Sequence, residues 1–364
     1  MSRIIIRSAL ALAVLTFLGG CSQEASLNPV QQSGNDPTLP APQRFLTPPM
    51  QVPEKTDWKQ GQTPTVAAGL QIEKIASGLK HPRQLYVLPN DDVLVVESNS
   101  PGMAPLTTPK QLIAGLVMSR SGKGAEGGNR VTLLRKSTTG SGEWEQHVFI
   151  ENLNSPFGIQ LIGDSLYVAD TDRIVKFPYV SGQTRITARG VEFADLPDTI
   201  NHHWTKALLA SPDGSKLYVG VGSNSNVGEN GLDVEYRRAT VLEVDVATGG
   251  SRIYASGLRN PTGLQWEPTT GTLWAIVNER DEIGPDLVPD YLTSVQDGGF
   301  YGWPYSYYGQ HLDKRVMPQR PDLVKTAIKP DYAIGSHVAP LGLLMSSDNA
   351  LPVEYHNGAF ISEH

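Results

Sequence analysis

The fold is decided by a unit of two short apolar segments, which is clearest between residues 260 and 276. The first segment is entered through a proline turn, Asn260-Pro261-Thr262-Gly263-Leu264, and the second is Gly271-Thr272-Leu273-Trp274-Ala275-Ile276. Short apolar segments bounded by Gly, Pro, Asn and Asp are typical of β-strands. The unit therefore predicts two strands joined by a turn.

The same unit starts at four other places in the chain. They are His81-Pro82, Ser155-Pro156, His203-Trp204 and Ala339-Pro340. Each interval has room for a propeller blade of roughly 40–50 residues, and the longer intervals leave room for insertions. Five units favour an all-β β-propeller with about five blades, because radial repetition hides the edges of the sheets. A β-sandwich is the alternative.

The composition agrees with a β-rich domain and excludes some partners. The chain of 364 residues contains 36 Gly and 27 Pro, which suits many short strands joined by turns. Its formal net charge of −7 disfavours nucleic acid, and also an anionic membrane surface bound through basic residues. The single cysteine, Cys21, excludes a structural disulfide within the chain.

Residues 1–20 have the pattern of a bacterial lipoprotein signal peptide. Two arginines, Arg3 and Arg7, lie at its start, and its apolar stretch is too short for a stable transmembrane helix. The stretch ends in Leu18-Gly19-Gly20-Cys21, so Cys21 is predicted to carry the lipid. Ser22 after the cysteine favours the outer membrane, on its periplasmic side. The alternative is a plain secretory signal with an incidental cysteine.

The remainder divides into two parts. Residues 21–65 are rich in Pro, Gln, Ser and Thr and show no hydrophobic periodicity. Such a segment buries too little apolar surface to offset the entropy of ordering it, and it is predicted to be a flexible tether. Residues 66–364 form the predicted propeller domain.

The fourth unit is followed by a run that carries chemistry. The run contains the carboxylate-rich loop Asn278-Glu279-Arg280-Asp281-Glu282, the motif Pro289-Asp290-Tyr291 and the aromatic turn Gly298-Gly299-Phe300-Tyr301-Gly302-Trp303-Pro304-Tyr305. An exposed linker does not need so many aromatic residues, and such a loop is typical of the wall of a site. The run resembles the glucose/sorbosone dehydrogenase family. That resemblance implies a six-bladed propeller that uses pyrroloquinoline quinone (PQQ) and calcium.

His203 is the candidate general base. It lies at the start of a predicted inner strand, where side chains of a propeller face the central channel. An imidazole there titrates near working pH and can take a proton from a hydroxyl group. The resemblance implies that His203 matches the family's catalytic base, and that His202 stands where the family often has an orienting Asp. The alternative is that one histidine packs and the other is exposed.

Arg259, Asn260 and His337 are the candidate cofactor ligands. The string Gly257-Leu258-Arg259-Asn260-Pro261 is similar to an Arg-Asn-Pro element of the family. A guanidinium can bind a quinone oxygen through its planar fork and stabilise charge during hydride transfer, so Arg259 is also a catalytic candidate. His337 lies at another inner-strand start. A structural salt bridge for Arg259 and simple packing for His337 are the alternatives. Arg83 and Gln84 are weaker channel candidates.

Asp281 and Glu282 are the candidate metal ligands. The resemblance implies that this loop holds calcium, largely through backbone carbonyls and PQQ itself. Calcium takes six to eight oxygen ligands, including carboxylates. The alternative is a surface acidic cluster.

The resemblance implies a PQQ-dependent dehydrogenase that oxidises an aldose or a sorbosone-like sugar aldehyde. His203 would take the proton, and the electrons would leave to a cytochrome or membrane quinone. No glycine-rich nucleotide fingerprint follows a predicted strand, so NAD and FAD are not supported. A metal-dependent sugar lactonase and a non-enzymatic ligand-binding propeller are the alternatives. Family members continue with a sixth repeat beyond the position of His364, which implies a truncated chain that binds PQQ poorly or not at all. A closed five-bladed ring is the alternative.

Overall fold

The computed structural model describes residues 25–43, 59, 61–101, 127–137, 143–198, 202–347 and 351–363. Four antiparallel sheets follow one another along the described chain, and in each sheet consecutive strands are neighbours. This is the arrangement of propeller blades, so the predicted all-β propeller class is confirmed.

The first three blades each have four strands. Blade 1 consists of β2 (Pro82–Val87), β3 (Val93–Glu97), β4 (Arg130–Lys136) and β5 (Trp144–Ile150). Blade 2 consists of β6 (Gly158–Ile162), β7 (Ser165–Ala169), β8 (Arg173–Pro178) and β9 (Val191–Asp195). Blade 3 consists of β10 (Lys206–Ala210), β11 (Lys216–Val221), β12 (Thr240–Asp245) and β13 (Ser251–Ser256), with a 3₁₀ turn at Asp233–Glu235.

Blade 4 has a long insertion before its outer strand. Its strands are β14 (Asn260–Trp266), β15 (Leu273–Asn278), β16 (Pro289–Ser294) and β19 (Tyr332–Ser336). The insertion holds a small hairpin, β17 (Ser306–Tyr307) with β18 (His311–Leu312), and the short helix α2 (Pro321–Val324). A further strand, β1 (Ser33–Gly34), follows the short helix α1 (Pro29–Gln32) and pairs with the outside of β19.

The fifth sequence unit forms a hairpin and not a complete blade. Its strands are β20 (Gly342–Met345) and β21 (Ala359–Ser362), with a 3₁₀ turn at Val353–Tyr355, and β20 packs beside β14. Four blades are therefore present in the described residues, and the prediction of about five is wrong. The unit recognised in the sequence corresponds to the first two strands of a blade, so counting units cannot separate a blade from a hairpin.

The core lies between neighbouring blades. Residues such as Leu208, Val219 and Leu242 of blade 3 pack against Tyr167 and Ile174 of blade 2, and all are buried. Each such side chain contributes about 1.5–3 kcal/mol through the apolar area it removes from water. These contacts fix the blades against one another and so fix the starts of their inner strands.

One hydrogen bond recurs between consecutive blades. A residue at the end of a blade's second strand donates to a carbonyl at the start of the next inner strand. The bonds are Ser98 Oγ to Pro156, Thr171 Oγ1 to Trp204 (3.1 Å), Ser223 N to Arg259 (2.8 Å) and Asn278 Nδ2 to Pro340 (2.8 Å). The polar loops that follow the second strands are thereby held beside the inner-strand starts, at one end of the propeller.

The segment at residues 25–43 is docked on blade 4. The backbone N–H and the hydroxyl of Ser26 donate to the buried carboxylate of Asp286 at 2.8 and 2.7 Å, and Gln32 Nε2 donates to it at 3.0 Å. These residues of the predicted tether are therefore held on blade 4 in this structure, while the division of the chain into a tether and a propeller domain stays a prediction. A buried carboxylate needs donors, and the tether composition gives no sign that it supplies them.

The predicted signal peptide and lipid anchor, residues 1–21, lie outside the part of the chain that the structure describes. Cys21, the predicted lipid-bearing residue, is outside the described residues. Among the helices that are described, none has the length and apolar character needed to span a bilayer.

Candidate active site

The structure brings together five of the residues that the sequence singled out. His203, Arg259 and Asn260 lie at the inner-strand starts of blades 3 and 4, and His337 precedes β20. Asp281, in the loop after β15, contacts both Arg259 and His337. The inner-strand starts and the loop after β15 therefore build one site.

His203 is tied down through one ring nitrogen. Its Nδ1 lies 2.9 Å from the carbonyl oxygen of Ser223 and 3.0 Å from the Ser223 hydroxyl. Its Nε2 has no hydrogen-bond partner among the described residues. Burial holds the pKa of His203 well below its usual value, and the charges of Arg259 and His202 act in the same direction. The imidazole is therefore neutral near pH 7, which is the form that can accept a proton.

His202 does not take the place of an orienting carboxylate. Its ring meets His203 edge-on with 4.8 Å between the centroids, while the Nδ1 contacts of His203 go to Ser223. Ser223 was missed in the sequence, because a serine after a Val-Gly strand end is an ordinary turn residue. Its only signal is its position directly after a second strand.

Asn260 and His203 both lie close to Gly222. A Cβ placed on Gly222 would meet Asn260 Oδ1 at 2.3 Å and His203 Cβ at 2.4 Å, so only glycine fits there. Asn260 is buried, and its Oδ1 has no hydrogen-bond partner. An unpaired buried carbonyl costs about 1–3 kcal/mol, and such an atom beside a candidate base is a place where a ligand gains affinity.

Arg259 is buried and its donors are engaged by the protein. Its Nε donates to the Asn226 carbonyl at 3.1 Å, and its Nη1 donates to the carbonyl of Glu279. Its Nη2 lies 2.9 Å from Asn226 Oδ1 and 3.2 Å from Asp281 Oδ2. In this arrangement Arg259 contributes positive charge to the site. A bidentate hydrogen bond from its guanidinium to a quinone, as predicted, would have to replace at least one of these bonds. Asn226, which organises Arg259, was not predicted.

Asp281 and His337 form an ion pair. Burial opposes charge on both, yet the pKa of Asp281 is lowered to about 2 by His337 and Arg259, and the pKa of His337 is raised to about 9 by Asp281 and the Gly284 carbonyl. Both groups are therefore charged near pH 7. His337 Nε2 also lies 3.1 Å from Gly284 O, so both of its ring nitrogens are engaged.

The predicted metal ligands are placed differently from each other. Asp281 is bonded to two positive groups, which disfavours a cation at its carboxylate, and Glu282 is exposed with a φ of 73°. Within the described ranges there is no group of three or more His, Cys, Asp or Glu side chains that could hold a metal ion. The side chains present therefore do not fit a metal ion, and the calcium site at Asp281 and Glu282 stays a prediction.

Arg83 reaches towards the same site from blade 1. Its guanidinium carbon is 5.6 Å from the ring centre of Trp204, the neighbour of His203, and its Nε donates to Ser98 O at 3.2 Å. Its two Nη groups have no hydrogen-bond partner among the residues that the structure describes. Arg83 therefore has a stronger claim as a channel cation than the sequence suggested.

The aromatic turn and the Pro-Asp-Tyr motif build the wall of the site. Tyr301, Trp303 and Tyr308 are buried, so they pack and do not present a face to a ligand. Trp303 Nε1 donates to Asn226 O at 3.0 Å, which supports the loop that holds Arg259. Asp290 accepts from Glu279 N at 2.7 Å and Ala339 N at 2.9 Å, which ties blade 4 to the segment that carries His337.

The comparisons with known proteins agree on the propeller class. A family model described as TrAA12-like matches residues 116–288. The calcium structure of the Trichoderma reesei carbohydrate-active enzyme of family AA12 superposes with a TM-score of 0.63 at 18% identity, covering 83% of this chain and 77% of that one. The holo form of the pyranose dehydrogenase PQQ domain from Coprinopsis cinerea gives 0.57 at 18% identity, covering 76% and 70%. At these identities the likeness supports the fold.

Two curated proteins are also similar in sequence. An uncharacterized protein of Borreliella burgdorferi is 25% identical over 228 residues, which are 60% of this chain and 59% of that protein. A pyrroloquinoline quinone-dependent sugar dehydrogenase of Hypocrea jecorina is 21% identical over 270 residues, or 67% and 57%. The chain thus spans less than two thirds of either relative. By these comparisons it resembles the PQQ-dependent sugar dehydrogenases and the AA12 proteins, which confirms the family resemblance found in the sequence.

Proposed function

We propose that this chain is a PQQ-dependent dehydrogenase that oxidises an aldose or a sorbosone-like sugar aldehyde, with His203 as the general base. One observation carries the proposal: Ser223 holds His203 Nδ1, and His203 Nε2 has no hydrogen-bond partner among the described residues. The Oδ1 of Asn260, which also lacks a partner there, and the His203 Cβ lie close to the same glycine, Gly222. The names of two similar proteins, a PQQ-dependent sugar dehydrogenase and a pyranose dehydrogenase PQQ domain, support the same class of reaction.

The residues present fit a polar anionic ligand such as PQQ. Within the part of the chain that the structure describes, the Oδ1 of Asn260 has no hydrogen-bond partner, and neither have the two Nη groups of Arg83. Arg259 and His337 add positive charge, which Asp281 balances in part. When bound, PQQ supplies the two-electron acceptor.

The chain's own residues supply the proton transfer. His203 Nε2 takes the proton of a hydroxyl group on an aldose C1 or on the hydrate of an aldehyde. The C–H bond at the same carbon then breaks, its electron pair leaves as hydride, and a carbonyl group forms. A neutral imidazole is needed at the start of this step, and the lowered pKa of His203 keeps it neutral across the neutral range.

The proposed proton transfer assigns no role to calcium. A calcium structure exists for the AA12 neighbour, but the described side chains here offer no ligand group for the ion. Calcium therefore remains a predicted cofactor, to be tested by its effect on turnover. The electron acceptor, a cytochrome or a membrane quinone, is also part of the proposal.

The test is PQQ-dependent dye reduction by the full chain, with and without Ca²⁺, over a panel of aldoses and 2-keto-aldehydes. We expect turnover that needs PQQ and falls by about 10²–10⁴-fold in His203→Ala, the range that general-base catalysis provides. His202→Ala is the matched control, because it removes the neighbouring imidazole and leaves the Ser223 contacts intact; its turnover should stay within a few-fold.

Other outcomes would favour the alternatives. Turnover that survives His203→Ala would remove His203 from the base role. PQQ binding without turnover would favour a ligand-binding propeller. Hydrolysis of sugar lactones that needs a metal ion and no PQQ would favour the lactonase.

The proposal includes a lipid anchor at Cys21 and a periplasmic position. Metabolic labelling with a radioactive fatty acid should mark the wild-type chain and not Cys21→Ser. Labelling of the variant would place the lipid on another residue and so contradict Cys21 as the anchor. Secretion of an unlabelled wild-type chain would favour a plain signal peptide.

A further inference from the structure

We infer that Ser223 is a positioning residue that holds His203 as the Nδ1–H tautomer and leaves Nε2 as the basic nitrogen. The inference concerns the hydrogen atoms of the site, and it rests on the proposed function only for its effect on catalysis. It follows from three hydrogen bonds whose directions are fixed by chemistry.

The first fixed direction is at the backbone. The Ser223 carbonyl oxygen lies 2.9 Å from His203 Nδ1, and a carbonyl can only accept. The nitrogen must therefore donate. The position of this carbonyl is set in turn, because the Ser223 N–H donates to Arg259 O at 2.8 Å across the boundary between blades 3 and 4.

The second fixed direction is at the hydroxyl. Ser223 Oγ lies 2.6 Å from the carbonyl oxygen of Ser225, so its single proton is committed to that acceptor. The oxygen then faces His203 Nδ1, 3.0 Å away, with a lone pair. Both Ser223 atoms thus demand a proton on Nδ1, and a neutral imidazole has only one N–H. Nε2 is left as the lone-pair nitrogen.

The acceptor of the hydroxyl proton is itself held in place. The carboxylate of Glu235 is buried and accepts from Ser225 Oγ and from Asn224 N, the latter at 2.7 Å. Ser225 Oγ also accepts from Gly228 N at 2.8 Å. The turn after β11 is therefore rigid where it meets His203, and Ser223 is fully buried within it.

The partner of the base is neutral, which sets this site apart from a histidine oriented by a carboxylate. A carboxylate would stabilise the imidazolium, whereas a hydroxyl and a carbonyl do so only weakly. The charged groups with most influence on His203 are Arg259, His202 and Lys206, and each disfavours a second proton. The arrangement favours a base that stays unprotonated into mildly acidic solution.

The direct test is nitrogen-15 NMR of the full chain labelled at histidine, with His203 assigned by comparison with His203→Gln. We expect a protonated Nδ1 and an unprotonated Nε2 in the wild type near pH 7, with or without PQQ. A protonated Nε2 would overturn the inference. The tautomer is read from the wild-type chain, and His203→Gln serves only to assign the His203 signals. The NMR measurement does not depend on turnover. A chain without dehydrogenase activity would therefore contradict the proposed function and leave the tautomer to be decided by NMR.

Variants at Ser223 separate positioning from a structural role. Ser223→Ala keeps the carbonyl and loses the hydroxyl, and we expect kcat to fall by about tenfold, as for one lost hydrogen bond, with KM nearly unchanged. Ser223→Thr keeps the hydroxyl and should restore kcat. Ser223→Asp introduces a charge and should move the acid limb of the kcat profile to higher pH. The carbonyl that remains in Ser223→Ala should keep the tautomer unchanged, so a kcat equal to that of the wild type would contradict the positioning role of the hydroxyl.

Discussion

Asp281 and His337 form an ion pair between blade 4 and the fifth unit, with Oδ1 of Asp281 3.3 Å from Nδ1 of His337. The other carboxylate oxygen lies 3.2 Å from Arg259 Nη2. One carboxylate thus joins the two positive residues that the sequence predicted as cofactor ligands. The pair sets the charge of the site, and its loss has consequences that can be measured.

The pair predicts how stability depends on pH. The pKa of Asp281 is lowered to about 2 in the fold, so its stabilisation is present above its usual value near 3.8 and is lost as pH falls towards 2. The pKa of His337 is raised to about 9, so its stabilisation is complete below 6.5 and is lost as pH rises through 9. The pair should therefore contribute most between about pH 4 and pH 6.5.

Asp281→Asn tests this dependence. The difference in urea midpoint between wild type and Asp281→Asn should be largest near pH 5 and should shrink at about pH 10. Asp297→Asn is the control, because it removes an exposed partner of Arg252 and should change the midpoint little. A difference that does not vary with pH would mean that Asp281 acts through packing.

Gly222 leaves room for the side chains of His203 and Asn260, so a larger residue at this position should displace one of them. Gly222→Ala places a Cβ within 2.4 Å of His203 Cβ and Asn260 Oδ1, so one of the two side chains has to move. We expect turnover to fall by at least tenfold, because a small displacement of a catalytic group weakens catalysis strongly. Gly358→Ala, which meets nothing within 4 Å, is the control and should be neutral. Normal turnover in Gly222→Ala would show that the site tolerates the shift.

The unpaired Oδ1 of Asn260 predicts that a substitution there lowers ligand affinity and leaves the stability of the protein nearly unchanged. Asn260→Ala removes an oxygen that has no protein partner, so the free energy of unfolding should change by less than about 1 kcal/mol, while PQQ affinity should fall by about tenfold. Asn278→Ala is the comparison, since its amide donates to Pro340 O at 2.8 Å and Thr262 Oγ1 at 3.1 Å. That variant should lose stability. Unchanged affinity in Asn260→Ala would remove Asn260 from the ligand site.

The fold was predictable to the extent that it depends on local pattern. The Pro-turn units mark the first two strands of each blade, and they placed His203, Asn260 and His337 at inner-strand starts. The third and fourth strands of each blade were not recognised, because the recurring unit in the sequence covers only the first two strands. Ser223 and Asn226 act through backbone carbonyls and turn geometry, which no residue pattern encodes. The docking of Ser26 on Asp286 joins residues 260 positions apart, and no local pattern could predict a contact over that separation.

The docking of residues 25–43 on blade 4 depends on the carboxylate of Asp286. Asp286 accepts from Ser26 N, Ser26 Oγ and Gln32 Nε2, and these bonds anchor residues 25–43 together with the pairing of β1 on β19. Asp286→Ala should speed amide hydrogen exchange at residues 25–34 by at least tenfold, because even one lost charge-assisted bond contributes about 1.5–3 kcal/mol. Asp322→Ala, which removes an exposed carboxylate paired with Arg320, should leave that exchange unchanged. If exchange at residues 25–34 is the same in Asp286→Ala as in the wild type, strand pairing alone holds the segment on blade 4.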